Sequence, residues 1–137
     1  MKLLSILFLG FLTSSVTLAQ EYELNNLFET RWVVNKNGGN VQNMENFELI
    51  IHNSPQTKNL PLHLKHAGLS FKKDGTLIAY TWNKCGTGNP PNHSKARYSI
   101  DEITTETVIN ITDSEIWNGS YVIAVLNMSN LNFKRKK

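Results

Sequence analysis

Every second residue is apolar along much of the chain from Leu69 onward. The stretches 95–101 and 130–134 both show this alternation, with apolar side chains at one parity and polar or charged ones at the other. A period of two puts one face of a strand against a core and the other face toward solvent. The pattern therefore predicts antiparallel β-strands.

Turn-forming residues divide this alternation into about eight strands. Asp74-Gly75 favours a tight hairpin because both residues can take positive φ, and Asn118-Gly119 and residues 127–130 mark two further hairpins. The predicted strands are 31–35, 45–52, 69–71, one through Ile78, Tyr80 and Trp82, 95–101, 107–112, 121–127 and 130–134. A further edge strand is predicted at 60–64.

Two segments add to this picture. Residues 22–28 lack glycine and proline and carry apolar residues at mixed spacing, which predicts a short N-terminal helical turn. Residues 121–126 are apolar at both parities, so this strand is expected to be central or to have a covered second face.

Short connections between consecutive strands favour a meander in which each strand pairs with the one before it. Such a sheet has two exposed edges, and rolling it until the first strand meets the last removes both. We therefore predict an all-β fold, an antiparallel up-and-down meander closed into a small barrel of about eight strands. At this strand number the lumen is either filled by side chains or just wide enough for one small ligand.

The first residues have the form of an export signal. Lys2 precedes an apolar run from Leu3 to Leu12, and Val16-Thr17-Leu18-Ala19 is typical of a cleavage site after Ala19. We expect residues 1–19 to be a signal peptide and residues 20–137 to form one domain, exported to the periplasm or beyond the cell. The apolar run is too short to span a membrane, so no membrane span is expected.

The charge distribution argues against a nucleic-acid partner. The chain has 14 basic and 11 acidic residues, but Lys2 lies in the signal and four basic residues, 134–137, end the sequence. The remaining body is mildly acidic, and the basic tail carries no interleaved aromatic residues. We expect a frayed, solvated tail and no nucleic-acid binding.

No cluster of residues dictates a catalytic or metal-binding chemistry. Cys85 is the single cysteine and closes no internal disulfide, so a small semi-buried side chain is its preferred interpretation. His63 and His66 would share a face only on a helix, whereas a strand points them in opposite directions. The acidic pairs near 102–106 and 113–115 are expected in exposed turns. We expect no enzyme activity, no metal and no cofactor.

A family resemblance adds an expectation about function. An export signal and a helix-like lead-in precede Trp32 in the opening strand, and then come the hairpin Phe71-Lys72-Lys73-Asp74-Gly75-Thr76, the strand Tyr98-Ser99-Ile100 and a closing hairpin of 121–126 with 131–133. This order resembles small lipocalin-like proteins exported by Bacteroidetes-type bacteria. The resemblance implies a non-enzymatic barrel that binds a small apolar or amphipathic molecule in a preformed cavity. The candidate ligand-binding residues are aromatic residues of the strands: Trp32, Phe47, Phe71, Tyr80, Trp82, Tyr98 and Tyr121.

A second resemblance leads to a different function. The β-rich pattern, the tryptophan strand and the residue types of Asn83-Lys84-Cys85-Gly86 are similar to small periplasmic META-type domains. That resemblance implies a structural or protein-interaction module of the cell envelope. A ligand-binding barrel requires an accessible cavity on the order of a few hundred cubic ångströms, lined by the aromatic residues. The module instead requires a filled core and an exposed apolar patch or unpaired edge around Leu60 to Leu64.

Overall fold

The computed structural model describes residues 24–35, 41–60, 67–81, 92–103 and 105–137, and their strands form a closed antiparallel barrel. The predicted all-β barrel of about eight strands is thereby confirmed. Two short helical segments, a 3-10 helix at Val41–Asn43 and α1 at Pro55–Lys58, lie between strands. The strands are β1 (Arg31–Val34), β2 (Asn46–Ile51), β3 (Gly68–Phe71), β4 (Thr76–Thr81), β5 (Asn92–Ile103), β6 (Glu106–Thr112), β7 (Gly119–Leu126) and β8 (Asn130–Arg135).

The strand order around the barrel is β1-β2-β8-β7-β6-β5-β4-β3, and β3 closes against β1. From β3 to β8 each strand pairs with the next, as a meander requires. However, β2 and β3 lie on either side of β1, and it is β2 that pairs with β8. The expectation that the first strand meets the last is therefore wrong.

The connection from β2 to β3 departs from the meander for a geometric reason. Both strands run antiparallel to β1 and so run parallel to each other, which means that the connection must return along the barrel. The helix α1 starts this return and packs on β2, and the Oγ of Ser54 caps it by accepting the N–H of Thr57 at 3.3 Å. Thr57 is 1% exposed, and Val33 and Ile50, which point away from the lumen, are equally buried.

The sequence predicts an edge strand at 60–64, and this segment begins in the same connection. Leu60 instead closes a turn after α1, where its N–H donates to the carbonyl of Thr57 at 3.2 Å. Residues 61–66 lie outside the described residues. The eight strands close on one another, so none of the described strands presents an unpaired edge.

The apolar run in β7 is explained by a β-bulge between Ile123 and Val125. Ala124 is the extra residue, and it changes the parity that faces the core. Tyr121, Ile123 and Leu126 all contact the core, whereas Ala124 and Val125 are exposed. A covered second face is therefore not needed to account for the sequence of this strand.

The predicted hairpin between β3 and β4 is present, with a different backbone from the one expected. Gly75 has φ of +86°, but Asp74 does not take positive φ. Asp74 instead accepts the N–H of Thr76 on its Oδ1 at 2.9 Å. The turn thus needs one left-handed residue rather than two.

In the described part of the chain no helix is long and apolar enough to cross a membrane.

Candidate functional site

The predicted aromatic residues fall into three groups in the structure. Most lie in the interior, where Trp32, Phe47, Phe71 and Tyr121 are at most 2% exposed. Tyr98 is partly buried against the same core. Tyr80 lies on the outer surface, and Trp82 lies outside the described residues. The structure therefore brings together five of the candidates, as part of one packed cluster.

Tyr80 faces outward because the opposite parity of β4 faces the core. Leu77 and Ala79 are at most 3% exposed and belong to the core, so the residue between Ala79 and Thr81 points away from it. The guanidinium of Arg31 lies 4.1 Å from the centroid of the Tyr80 ring. Desolvation by burial lowers the pKa of Arg31. The expectation that the face of β4 carrying Tyr80 lines the lumen is wrong.

Aromatic rings make contact across the interior of the barrel. Phe71 of β3 and Phe133 of β8 have ring centroids 6.1 Å apart, although the short way round the barrel between these strands passes through β1 and β2. The chain of contacts continues from Phe133 to Tyr121 at 5.6 Å and from Tyr121 to Phe47 at 5.7 Å. Rings at these distances are in van der Waals contact and leave no room between them for a ligand. The described part of the lumen is therefore filled.

One end of the barrel is closed by the segment before β1. Its backbone forms the predicted helical turn, in which the N–H of Leu27 donates to the carbonyl of Leu24 at 3.0 Å. Leu27 is fully buried, and its carbonyl accepts the indole Nε1–H of Trp32 at 3.2 Å. At the same end the hydroxyl of Tyr98 donates to the carbonyl of Lys72 at 2.5 Å, and burial raises the pKa of Tyr98 to about 12.

The other end is partly closed by Trp117, from the connection between β6 and β7. Its ring lies 5.3 Å from that of Phe47, and its side chain is 2% exposed. The connection holds its shape through Ser114, whose Oγ accepts the N–H of Trp117 at 3.1 Å. The hydroxyl of Tyr121 donates to the carbonyl of Trp117 at 2.9 Å. Trp117 was not among the residues that the sequence suggested.

Arg135, the last residue of β8, contacts the same aromatic group at this end of the barrel. Its Nη2 donates to the hydroxyl of Tyr121 at 3.1 Å, and its guanidinium carbon lies 5.3 Å from that ring. Burial raises the pKa of Tyr121, and the positive charge of Arg135 opposes this shift. The end of β8 is therefore anchored, so the expectation of a frayed tail is wrong for Arg135.

A cleft of about 420 Å³ opens beside Trp117, at the mouth of the barrel. The inward parity of β4 and β5 carries small or short polar side chains here, namely Ala79 and Thr81 opposite Ser94 and Asn92. These positions continue the face of Leu77 and Ala96, which belong to the core. The wall on the other side of the cleft is the β6–β7 connection, residues 113–116. Small side chains leave this mouth open where aromatic rings fill the rest.

Most of the residues that line the cleft carry a polar side chain, and none of them is a lysine or an arginine. It presents the amide of Asn92, the hydroxyls of Thr81, Ser94 and Ser114, the His93 imidazole, and the carboxylates of Asp113 and Glu115, with Ala79 and Ile116 as the apolar part. Asp113 accepts a hydrogen bond from Nε of Arg97 at 2.6 Å in an exposed ion pair. Hydroxyls, amides and carboxylates together suit a neutral or cationic polar molecule rather than an anion.

In the described ranges no group of three or more histidine, cysteine, aspartate or glutamate side chains is placed to hold a metal ion. Asp113 and Glu115, one of the acidic pairs noted in the sequence, are both exposed to solvent. Cys85, His63 and His66 lie outside the described residues.

In the described part of the chain, the fold and the site define a small closed antiparallel β-barrel whose interior is packed with rings and which has a cleft at one end. No family model, no curated protein and no solved structure matches this chain significantly. Its function must therefore be inferred from its own residues.

The sequence contains a pattern that predicts the residues of the mouth, although a search for aromatic residues does not find them. Asn92 and Ser94 share the parity of Ala96 and Tyr98, so extending the alternation backward along β5 would have placed them on the inner face. Trp117 gave no such signal, because it follows the turn-forming stretch after β6 and parity is undefined there.

Proposed function

We propose that this protein is an exported, non-enzymatic binding module that holds a small polar molecule in the cleft at the open mouth of its barrel. The proposal rests above all on one observation: an open cleft of about 420 Å³ adjoins an interior otherwise filled by rings. This volume lies within the usual range of small-molecule sites. The export part of the proposal is supported by the signal-like pattern of residues 1–19.

The ring contacts favour the mouth over the lumen as the ligand site. An apolar molecule in the interior would have to separate Phe71, Phe133 and Tyr121, whose centroids are 6.1 and 5.6 Å apart. At the mouth, in contrast, the inward residues are short and reach solvent. The ligand is accordingly a polyhydroxylated or amine-bearing solute rather than an apolar one.

A structural or interaction module of the cell envelope is the second candidate function. It is favoured by the same filled interior, because a core packed with rings serves stability and leaves binding to the outer surface. The two candidates differ at the mouth, where only the first expects a ligand.

Amide chemical shifts of the full ¹⁵N-labelled chain test the proposal. The probes are glucose as a neutral polyol, putrescine as a diamine, citrate as an anion and 8-anilinonaphthalene-1-sulfonate as an apolar dye. We expect glucose or putrescine to shift the amides of Asn92, Ser94 and residues 113–116, and citrate and the dye to leave them unchanged.

A matched pair of variants locates the effect. Ser94→Trp places a large side chain in the mouth, whereas Ser99→Trp places the same side chain on the outward parity of the same strand. Ser94→Trp should abolish the shifts and Ser99→Trp should retain them, both with an unchanged circular dichroism spectrum. Absence of shifts with all four probes, or equal loss in both variants, contradicts the proposal and leaves the envelope module as the better account.

A further inference from the structure

A second cleft lies on the outside of the barrel and has the opposite electrostatic character. It has a volume of about 430 Å³ and lies over β7 and β8. Its lining consists of Val122, the residues Lys134, Arg135, Lys136 and Lys137, and the two acidic residues Glu45 and Glu106. Three lysines and Arg135 therefore outnumber the two acidic residues in the lining of this concave surface.

The two carboxylates hold the lysines without neutralising the cleft. Lys137 Nζ lies 2.9 Å from Glu45 Oε1, and Lys136 Nζ lies 3.7 Å from Glu106 Oε2. The hydrogen bond and charge of Lys137, with a smaller contribution from Lys134, lower the pKa of Glu45. Both ion pairs are exposed, and the side chain of Lys137 is 87% exposed, so these pairs are weak and can exchange partners. A surplus of two positive charges remains in the lining.

Arg135 anchors the strand that carries the lysines, with its own guanidinium on the interior face beside Tyr121. Its backbone N–H donates to the carbonyl of Glu45 at 2.7 Å, and its Nη2 donates to the Tyr121 hydroxyl at 3.1 Å. Lys134 and Lys136 have the opposite parity and are both exposed, so their ammonium groups face the outer cleft.

We propose that this outer cleft binds a phosphate-type anion. The anion would lie between Lys134 and Lys136, accept hydrogen bonds from both ammonium groups and take over Lys137 from Glu45. Charge-assisted hydrogen bonds to a multiply charged oxyanion are stronger than an exposed lysine–glutamate pair. The same chemistry is offered by a soluble phosphorylated compound and by the headgroup of an anionic lipid, and both occur where an exported protein can meet them. The proposal does not depend on the ligand of the barrel mouth.

Titration of the full ¹⁵N-labelled chain with inorganic phosphate, at constant ionic strength held with chloride, tests the site directly. We expect saturable shifts at the amides of Glu45, Val122 and residues 134–137. The variant Lys134→Gln/Lys136→Gln should bind phosphate about tenfold more weakly, because two charge-assisted hydrogen bonds are lost. The control Lys73→Gln/Lys95→Gln removes the same charge from exposed positions outside the cleft and should bind like the parent.

Vesicle binding then separates the two sources of the anion. Vesicles of phosphatidylcholine mixed with phosphatidylglycerol are compared with vesicles of phosphatidylcholine alone by co-sedimentation. Phosphate binding without vesicle binding assigns the site to a soluble phosphorylated compound, whereas binding to the mixed vesicles that is lost in the Lys134/Lys136 variant assigns it to a lipid headgroup. Absence of binding in both assays overturns the proposal, and so does equal weakening in the two charge variants.

Discussion

Phe71 and Phe133 meet edge to face in the middle of the barrel, with ring centroids 6.1 Å apart and ring planes at 81°. They come from β3 and β8, which are not neighbours in the sheet. Their contact joins opposite walls of the barrel, so it stabilises the closed cylinder rather than any single hairpin. Both side chains are at most 1% exposed.

We expect Phe71→Ala and Phe133→Ala each to lower the free energy of unfolding by about 3–5 kcal/mol, as truncation of a buried ring does. The double variant should cost less than the sum, because the two rings contact each other. Guanidinium unfolding curves of the four proteins measure both effects. Tyr80→Ala, which removes a ring from the outer surface, is the control and should cost less than either. Losses below about 1 kcal/mol for both phenylalanines would show that the interior is not packed.

Gly68 is required where β1 and β3 close the barrel. A Cβ at this position would lie 1.8 Å from the carbonyl oxygen of Trp32, a backbone atom that cannot move away without separating the strands. Gly68→Ala should therefore cost at least about 3 kcal/mol of unfolding free energy.

Gly75→Ala provides the comparison for this glycine. Gly75 has φ of +86° but room for a Cβ, which would lie 3.5 Å from the carbonyl oxygen of Tyr98. Its replacement should cost only about 1–2 kcal/mol, the ordinary strain of a left-handed residue. Thermal unfolding of both variants checks the order, and a milder effect at Gly68 than at Gly75 would contradict the β1–β3 contact.

Deletion of Ala124 should be tolerated, because it is the extra residue of the bulge in β7. Without it Ile123 and Leu126 still face inward in regular alternation, so we expect a change of about 1 kcal/mol or less. Deletion of Val122 can also be absorbed by loss of the bulge, but it turns Ile123 outward and places Ala124 inward, so we expect a loss of about 2–5 kcal/mol, as for truncation of a buried isoleucine to alanine. Soluble yield and unfolding midpoints of the two deletions distinguish these outcomes, and equal damage would argue against the bulge.

Alkaline stability should depend on Tyr98. Burial raises the pKa of its hydroxyl from an ordinary value of 10.0 to about 12 in the folded chain. Because the folded state holds this proton more tightly than the unfolded state, protonated Tyr98 adds to the free energy of unfolding. This contribution is complete below pH 10 and is lost as the pH rises through about 12. Unfolding free energies measured between these limits should fall with pH more steeply for the parent than for Tyr98→Phe. An equal slope in the parent and in Tyr98→Phe would contradict this prediction.

Local patterns predicted most of the strands correctly. The inward faces of β1, β2 and β5 follow the parity of Trp32, Phe47 and Tyr98, and all three residues contact the core. β4 is the exception, because its aromatic residue Tyr80 and its smaller residue Ala79 compete for the inner face. The size of the Tyr80 ring favours placing it inside. In the structure the ring lies outside, where the guanidinium of Arg31 packs on it.

The candidate site could be predicted only in part. Five of the candidates do come together in one packed core, in which the ring of Phe47 contacts that of Tyr121 and the ring of Phe71 contacts that of Tyr98: Trp32, Phe47, Phe71, Tyr98 and Tyr121. The open mouth depends on short residues such as Ser94, and a search for aromatic residues passes over them. The charged sequence neighbours of Arg135 predict a solvated tail. Arg135 nevertheless contacts Tyr121, which belongs to the neighbouring strand β7 and is close to it only in the folded chain.

The antiparallel strands with one apolar face could be predicted from the sequence, because alternation is a property of neighbouring residues and needs no knowledge of the rest of the chain. The positions of β2 and β3 on either side of β1, and the contact of rings across the lumen, are seen only in the folded chain. Both features depend on contacts between residues that are far apart in the sequence. The parity of a residue in its strand predicts which face its side chain lies on, but not which residues it contacts there. The same limit explains why the open mouth and the basic outer cleft became visible only once the cylinder was closed.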